Sequence, residues 1–197
     1  AEDEASPRGD RIGAMMMNGR DYAQLFFAAA RAGLVLCHLS TRSTPRDIAL
    51  SLGKVGARAL FIQQDLLPQF EAARGLGASC ERVIVIDGER SEFLALIDRG
   101  LSAVMPNLTL DDLLGITFTG GTTGSPKAVA VTHGARCANV IGGMSDFEIG
   151  ARDVCGAATP SPLVLTASLH DLLDRSSRLY QRVARLDDLL GEAPGRA

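Results

Sequence analysis

Short apolar runs alternate with amphipathic segments from residue 11 to about residue 144. Residues 11–17, 34–39, 58–62 and 82–86 are brief, nearly continuous apolar stretches, the pattern of strands buried on both faces. Between them the apolar positions recur at helical spacing. Residues 21–32 carry Tyr22, Leu25, Phe26, Ala29 and Ala30 on one face, and Gly33 stops the helix. Thr44 caps a second helix with Pro45 in its first turn, running to about Gly53. Residues 65–74 and 91–98 read as two more helices. Residues 108–114 form an acidic connector, with Asp111 and Asp112 expected in solvent. Residues 116–119 are a further strand, 128–131 another apolar run, and 135–144 a helix weakened by Gly142 and Gly143. Strands alternating with helices predict βαβ units: an α/β fold with a parallel sheet flanked by helices.

The last forty residues follow a different pattern. Thr159, Pro160, Ser161 and Pro162 break the chain. Beyond them Leu165, Leu169, Leu172, Leu179, Val183, Leu186 and Leu190 recur in steps of three and four, with charged residues between them. The expectation is an extra C-terminal amphipathic helix ending at Gly191. Residues 1–160 are thus one unit and 161–197 a helical tail. The stripe suits either packing on the domain or a homodimer through a two-stranded coiled coil.

Composition narrows the class. The 197 residues are 46% hydrophobic and 22% charged, with a net charge of -3. That balance suits a globular protein with a buried core and offers no basic surface for nucleic acid. Lys54 and Lys127 are the only lysines. Cys37, Cys80, Cys137 and Cys155 are widely spaced, without a metal or disulfide pattern. Three of the four sit among apolar neighbours and are expected to be buried thiols. No apolar run is long enough to span a membrane. The acidic N-terminus is unlike a signal peptide, so a cytoplasmic location is expected. It also lacks an initiator methionine, as a fragment or a processed chain would.

The densest chemistry lies in ITFTGGTTGSPKAVAVTH, residues 116–133. A β run ends at Thr119. Gly120, Gly121, Thr122, Thr123, Gly124, Ser125, Pro126 and Lys127 follow. Glycines permit close backbone approach, successive N–H groups form an anion-binding nest, hydroxyls donate, and Lys127 adds a point charge. These features point to a phosphate loop, directly after a strand of a parallel sheet, where ligands of such sheets bind. It is not a Walker A loop, because Lys127 is preceded by Ser-Pro and followed by Ala128. A glycine-rich hairpin between two strands is the alternative. No residue is singled out as catalytic and none as a metal ligand: His38 stands at a strand end, His133 at a helix start, His170 in the tail stripe.

This stretch resembles the signature of the AMP-forming adenylating enzymes, the superfamily of acyl-CoA synthetases, adenylation domains and luciferases. Its usual form is T-S-G-T-T-G-x-P-K-G-V-x-x-T-H. Thr119, Gly121, Thr122, Thr123, Gly124, Pro126, Lys127, Val129, Thr132 and His133 match, while Gly120 replaces a serine and Ala128 a glycine. Upstream, Arg31-Ala32-Gly33 and the Thr44-Pro45 helix also fit, with Met17 and His38 standing where prolines are usual. The resemblance covers residues 9 to about 160.

The resemblance implies a partial large domain of an ATP-dependent acyl-CoA synthetase, which activates a carboxylate through an acyl-adenylate and passes it to coenzyme A. It implies ATP or AMP as the nucleotide, with Mg-ATP, a carboxylic acid and coenzyme A used by full-length members. It assigns phosphate binding to Thr119, Gly120, Gly121, Thr122, Thr123, Gly124 and Lys127. The family's adenine, magnesium and ribose motifs do not follow His133, and no lysine follows Lys127. The expectation is therefore a domain cut short, incomplete as a catalyst by itself. The alternative is a non-catalytic nucleotide- or partner-binding module that dimerises through the tail.

Overall fold

The computed structural model describes residues 9–93, 106–119 and 126–146. The predicted tail helix and most of the 91–98 helix lie outside them. Within them the chain runs β1 (Arg11–Met15), α1 (Arg20–Ala32), β2 (Val35–His38), α2 (Pro45–Val55), β3 (Ala59–Ile62), α3 (Leu67–Arg74), β4 (Arg82–Val85), β5 (Leu113–Thr119), β6 (Lys127–Thr132) and α4 (His133–Asp146).

The helix boundaries have local causes. The Thr44 hydroxyl accepts from the Asp47 N–H at 3.2 Å, and the Asp47 carboxylate accepts from the Thr44 N–H at 3.3 Å, a reciprocal capping box. Gly33 ends α1 at φ 71°, where its missing Cβ avoids strain, and Leu34 N–H donates to Ala29 O at 3.0 Å. The helix α2 passes through Gly53 and stops at Gly56, because its capping bond goes from Gly56 N–H to Leu52 O. Helix α3 starts later than the pattern implied, since Gln64–Leu66 form a 3₁₀ turn ahead of it.

The six strands make one sheet in the order β4-β3-β1-β2-β5-β6. The first five are mutually parallel, as expected. The sixth is antiparallel to β5, so the sheet is mixed. The reversal at β6 arises because only seven residues separate it from β5, with no helix to carry the chain back to the other end.

Alternation along the strands sorts side chains into two cores. Ile12, Ala14, Leu36, Phe61 and Ile84 pack with α1 on one face. Met15, Cys37, Leu60 and Ile62 pack with Ile48 and Leu52 of α2 and Phe70 of α3 on the other. In β5 the alternation slips. Leu114 joins the α1 core, yet Ile116 and Phe118 join the opposite one. A register irregularity between Leu113 and Gly115 accounts for the slip, since one extra residue exchanges the faces of all that follow. Gly115 and Thr117 are thereby turned to the α1 side, beside Leu36 and His38.

The connector is largely exposed, with Asp111 in solvent as expected, and it also makes hydrogen bonds. The Asp112 carboxylate accepts from the N–H and hydroxyl of Thr109 at 2.5 and 2.9 Å. The backbone carbonyls of Leu110 and Asp112 accept from the N–H groups of Gly134 and His133, at 2.7 and 3.0 Å. The connector thus satisfies donors of the first turn of α4, which otherwise lack partners, and Thr132 serves Ala135 in the same way at 3.1 Å. Among the described cysteines, Cys37 is buried, Cys80 half-buried and Cys137 exposed. Cys137 is exposed because α4 buries none of its described residues, and Cys155 lies outside the described residues. No helix among the described residues is long and apolar enough to cross a membrane.

Candidate functional site

The sheet's carboxyl edge collects the candidate site. Strand β5 delivers Thr119 to that edge, and β6 leaves it at Lys127. The two are opposed in the β5–β6 ladder, and both are exposed. The two residues that flank the glycine-rich segment are therefore paired across antiparallel neighbours. Gly120, Gly121, Thr122, Thr123 and Gly124 lie outside the described residues. Ala128 sits in the ladder opposite Phe118, in extended backbone that alanine adopts without strain. Lys54, on the last turn of α2, donates from Nζ to the Pro126 carbonyl at 3.4 Å. Both lysines of the chain thus stand at the exit of the loop. The sequence assigned Lys127 but not Lys54 to the loop, because a contact across 72 positions has no local signal.

A cleft of about 380 Å³ opens beside the base of this hairpin. Its walls are the segment after β1 (Met16, Met17, Asn18), the segment after β2 (Leu39 to Arg42) and Thr117 with Phe118 of β5. The position follows from topology. The chain leaves β1 for α1 on one face and leaves β2 for α2 on the other, although the strands are adjacent. That divergence is the switch point of the sheet, where open α/β sheets bind ligands.

The cleft floor holds a polar pair. The Tyr22 hydroxyl hydrogen-bonds His38 Nδ1. The imidazole is stacked against the Tyr22 ring and the Phe26 ring, with centroids 5.8 and 6.2 Å away. Burial, aided by the Arg136 guanidinium, lowers the His38 pKa to about 4. Burial also raises that of Tyr22. The pair is therefore neutral at pH 7: a rigid hydrogen-bonded floor without charge. The sequence placed His38 at a strand end, as observed. Its partner sixteen residues earlier was not foreseen.

Comparison with known proteins decides the family. A family model described as AMP-binding enzyme matches residues 6–173.

The chain belongs to the AMP-binding enzyme family.

An acyl-CoA ligase, sidI of Aspergillus fumigatus, is 32% identical over 149 residues, covering 64% of this chain and 25% of that protein. The N-terminal domain of FACL13 from Mycobacterium tuberculosis superposes with a TM-score of 0.68 at 24% identity, over 88% of this chain and 43% of the other. The anthranilate CoA ligase AuaEII, solved with anthranoyl-AMP, superposes at a TM-score of 0.60 and 23% identity, over 65% of this chain and 26% of the other. These superpositions establish the fold of an AMP-binding enzyme's N-terminal region. The chain spans about a quarter to a third of the length of the relatives it matches. Residues 6–173 include β5, β6 and the cleft.

Proposed function

We propose that this chain supplies the phosphate-holding part of an ATP-dependent, AMP-forming acyl-CoA synthetase. The observation that carries the reading is the hairpin: a signature loop leaving the carboxyl edge of the sheet at Thr119 and returning at Lys127. The donor set fits a polyphosphate. Thr119 offers a hydroxyl, Lys127 a compact positive charge, and the backbone of Gly120, Gly121, Thr122, Thr123 and Gly124 a run of N–H groups. In this role the loop holds the β- and γ-phosphates of ATP while a carboxylate is activated. Prearranged donors stabilise charge gathering on the leaving pyrophosphate. The Gly120 N–H remains available without the usual serine hydroxyl, so the loop holds phosphate more weakly than the full signature does.

The ladder pair fixes the ends of the loop, and Lys54 ties its exit to α2. Their task is to orient the loop rather than to transfer a proton. Among the described residues no group of three or more His, Cys, Asp or Glu side chains is placed to hold a metal. Magnesium ligands, the carboxylic acid and coenzyme A are assigned to regions beyond these residues, in a cytoplasmic enzyme.

The test is carboxylate-dependent exchange of labelled pyrophosphate into ATP. The 197-residue chain alone is expected to give none, and to support exchange when the remaining part of a relative's large and small domains is supplied in trans. Exchange by the isolated chain would overturn the division of labour proposed here.

A further inference from the structure

We propose that Met17 is a reversible oxidation site for hydroperoxides, and that its sulfoxide forms mainly as one epimer because the Thr41 hydroxyl covers one side of the sulfur. Met15, Met16 and Met17 offer three thioethers in succession. Met15 and Met16 are buried, whereas Met17 is 55% exposed. It lies after β1, in the wall of the cleft. The family resemblance has a proline at this position, so the sulfur belongs to this chain rather than to the shared pattern. The site is separate from the phosphate loop and does not rest on its role.

Two contacts hold the residue. Its N–H donates to Gln63 Oε1 at 2.6 Å, which ties the backbone to the segment after β3. The Thr41 hydroxyl donates to Sδ at 3.5 Å. A thioether sulfur carries two lone pairs, and oxygen added to one or to the other gives opposite epimers. The hydroxyl engages one lone pair. The side chain is otherwise open to solvent, so the second lone pair is the one a hydroperoxide reaches. Sulfur is a weak acceptor, and the bias is correspondingly modest.

The step balances with a hydroperoxide as the sole co-reactant. The free lone pair attacks the terminal peroxide oxygen, and an S–O bond forms as the O–O bond breaks. The leaving oxygen takes up the proton of the transferred hydroxyl and departs as an alcohol, or as water from hydrogen peroxide. Sulfur is oxidised and the peroxide reduced by one electron pair. The product places a polar, strongly accepting group in a wall shared with Met16, Leu39 and Phe118. Two classes of sulfoxide reductase restore the thioether, each acting on one epimer.

Hydrogen peroxide treatment of the 197-residue chain, followed by digestion, tests the proposal. The peptides are divided between the two reductase classes, and fragment mass spectrometry reads each methionine. Met15 and Met16 should stay reduced. One reductase should remove at least about three times as much Met17 sulfoxide as the other, the ratio of a weak hydrogen bond. Met144, 47% exposed on α4, should be cleared equally by both. Thr41→Val should equalise the two at Met17, and Thr41→Ser, which keeps the hydroxyl, should preserve the bias. Oxidation of Met15 or Met16 ahead of Met17, equal clearance at Met17 in wild type, or an undiminished bias in Thr41→Val would each overturn the proposal.

Discussion

Thr119 and Lys127 face each other as the last pair of the β5–β6 ladder, so the two ends of the signature loop are held one strand spacing apart. The hydroxyl of Thr119 can be removed without disturbing that pairing, because valine is equally at home in a strand. Thr119→Val should leave urea stability unchanged and weaken ATP binding about fivefold, the equivalent of one hydrogen bond worth about 1 kcal/mol. Titration calorimetry on both proteins measures the difference. Equal affinities would remove Thr119 from the site.

Gly115 is where the turned register of β5 brings its backbone against β2. A Cβ there would lie 3.0 Å from the Leu36 carbonyl oxygen and 3.2 Å from His38 Nε2. Gly13 offers a contrast: its nearest obstacle is the tip of the Leu60 side chain, at 2.9 Å, which can rotate away. Gly115→Ala should therefore cost about 1–3 kcal/mol, and Gly13→Ala less. Urea denaturation of the two variants orders them, and the reverse order would contradict the backbone argument.

His38 couples stability to pH. Its pKa is about 4 in the folded chain and 6.5 as the reference value, so between these values the unfolded state binds more protons. The neutral ring's contribution, about 3 kcal/mol, is present above pH 6.5 and is lost as pH falls towards 4. Unfolding curves from pH 8 to pH 4.5 should fall more steeply for wild type than for His38→Gln, whatever the variant's stability at pH 8. Parallel profiles would show that His38 does not carry the titration.

Arg82 anchors the amino end of β4 through Nη2, which donates to Glu92 Oε2 at 2.7 Å with the arginine side chain only 8% exposed. Removing the acid leaves a buried guanidinium with less compensation. Glu92→Ala should cost about 2 kcal/mol, the scale of a hydrogen bond between charged groups. A loss within the noise of a urea midpoint would show that other groups around Arg82 suffice.

Much of the fold was legible because its signals are local. The β1, β2, β3 and β4 runs, the Thr44 cap and the Gly33 stop each occupy a few adjacent residues, and their alternation implied the parallel core. The direction of β6 was only half legible: an apolar run looks the same in either orientation, and the hairpin stood as one of two readings until the short loop before β6 was seen to force the reversal. The Gly115 slip was not legible; it becomes visible when Leu114 and Ile116 are found on opposite faces. The candidate loop stood out through glycine and hydroxyl density. The Tyr22–His38 floor and the Lys54 tie did not, because they join residues brought together by the sheet rather than by the chain.

The central claim is that the loop from Thr119 to Lys127 holds the phosphates of ATP. Calorimetric titration of Mg-ATP into the 197-residue chain, beside the Lys127→Gln, Thr119→Val double variant, tests it most directly. Saturable binding by wild type, weakened by an order of magnitude or more in the double variant with the fold retained, is the predicted result. Equal binding by both proteins, or none by wild type, would contradict it.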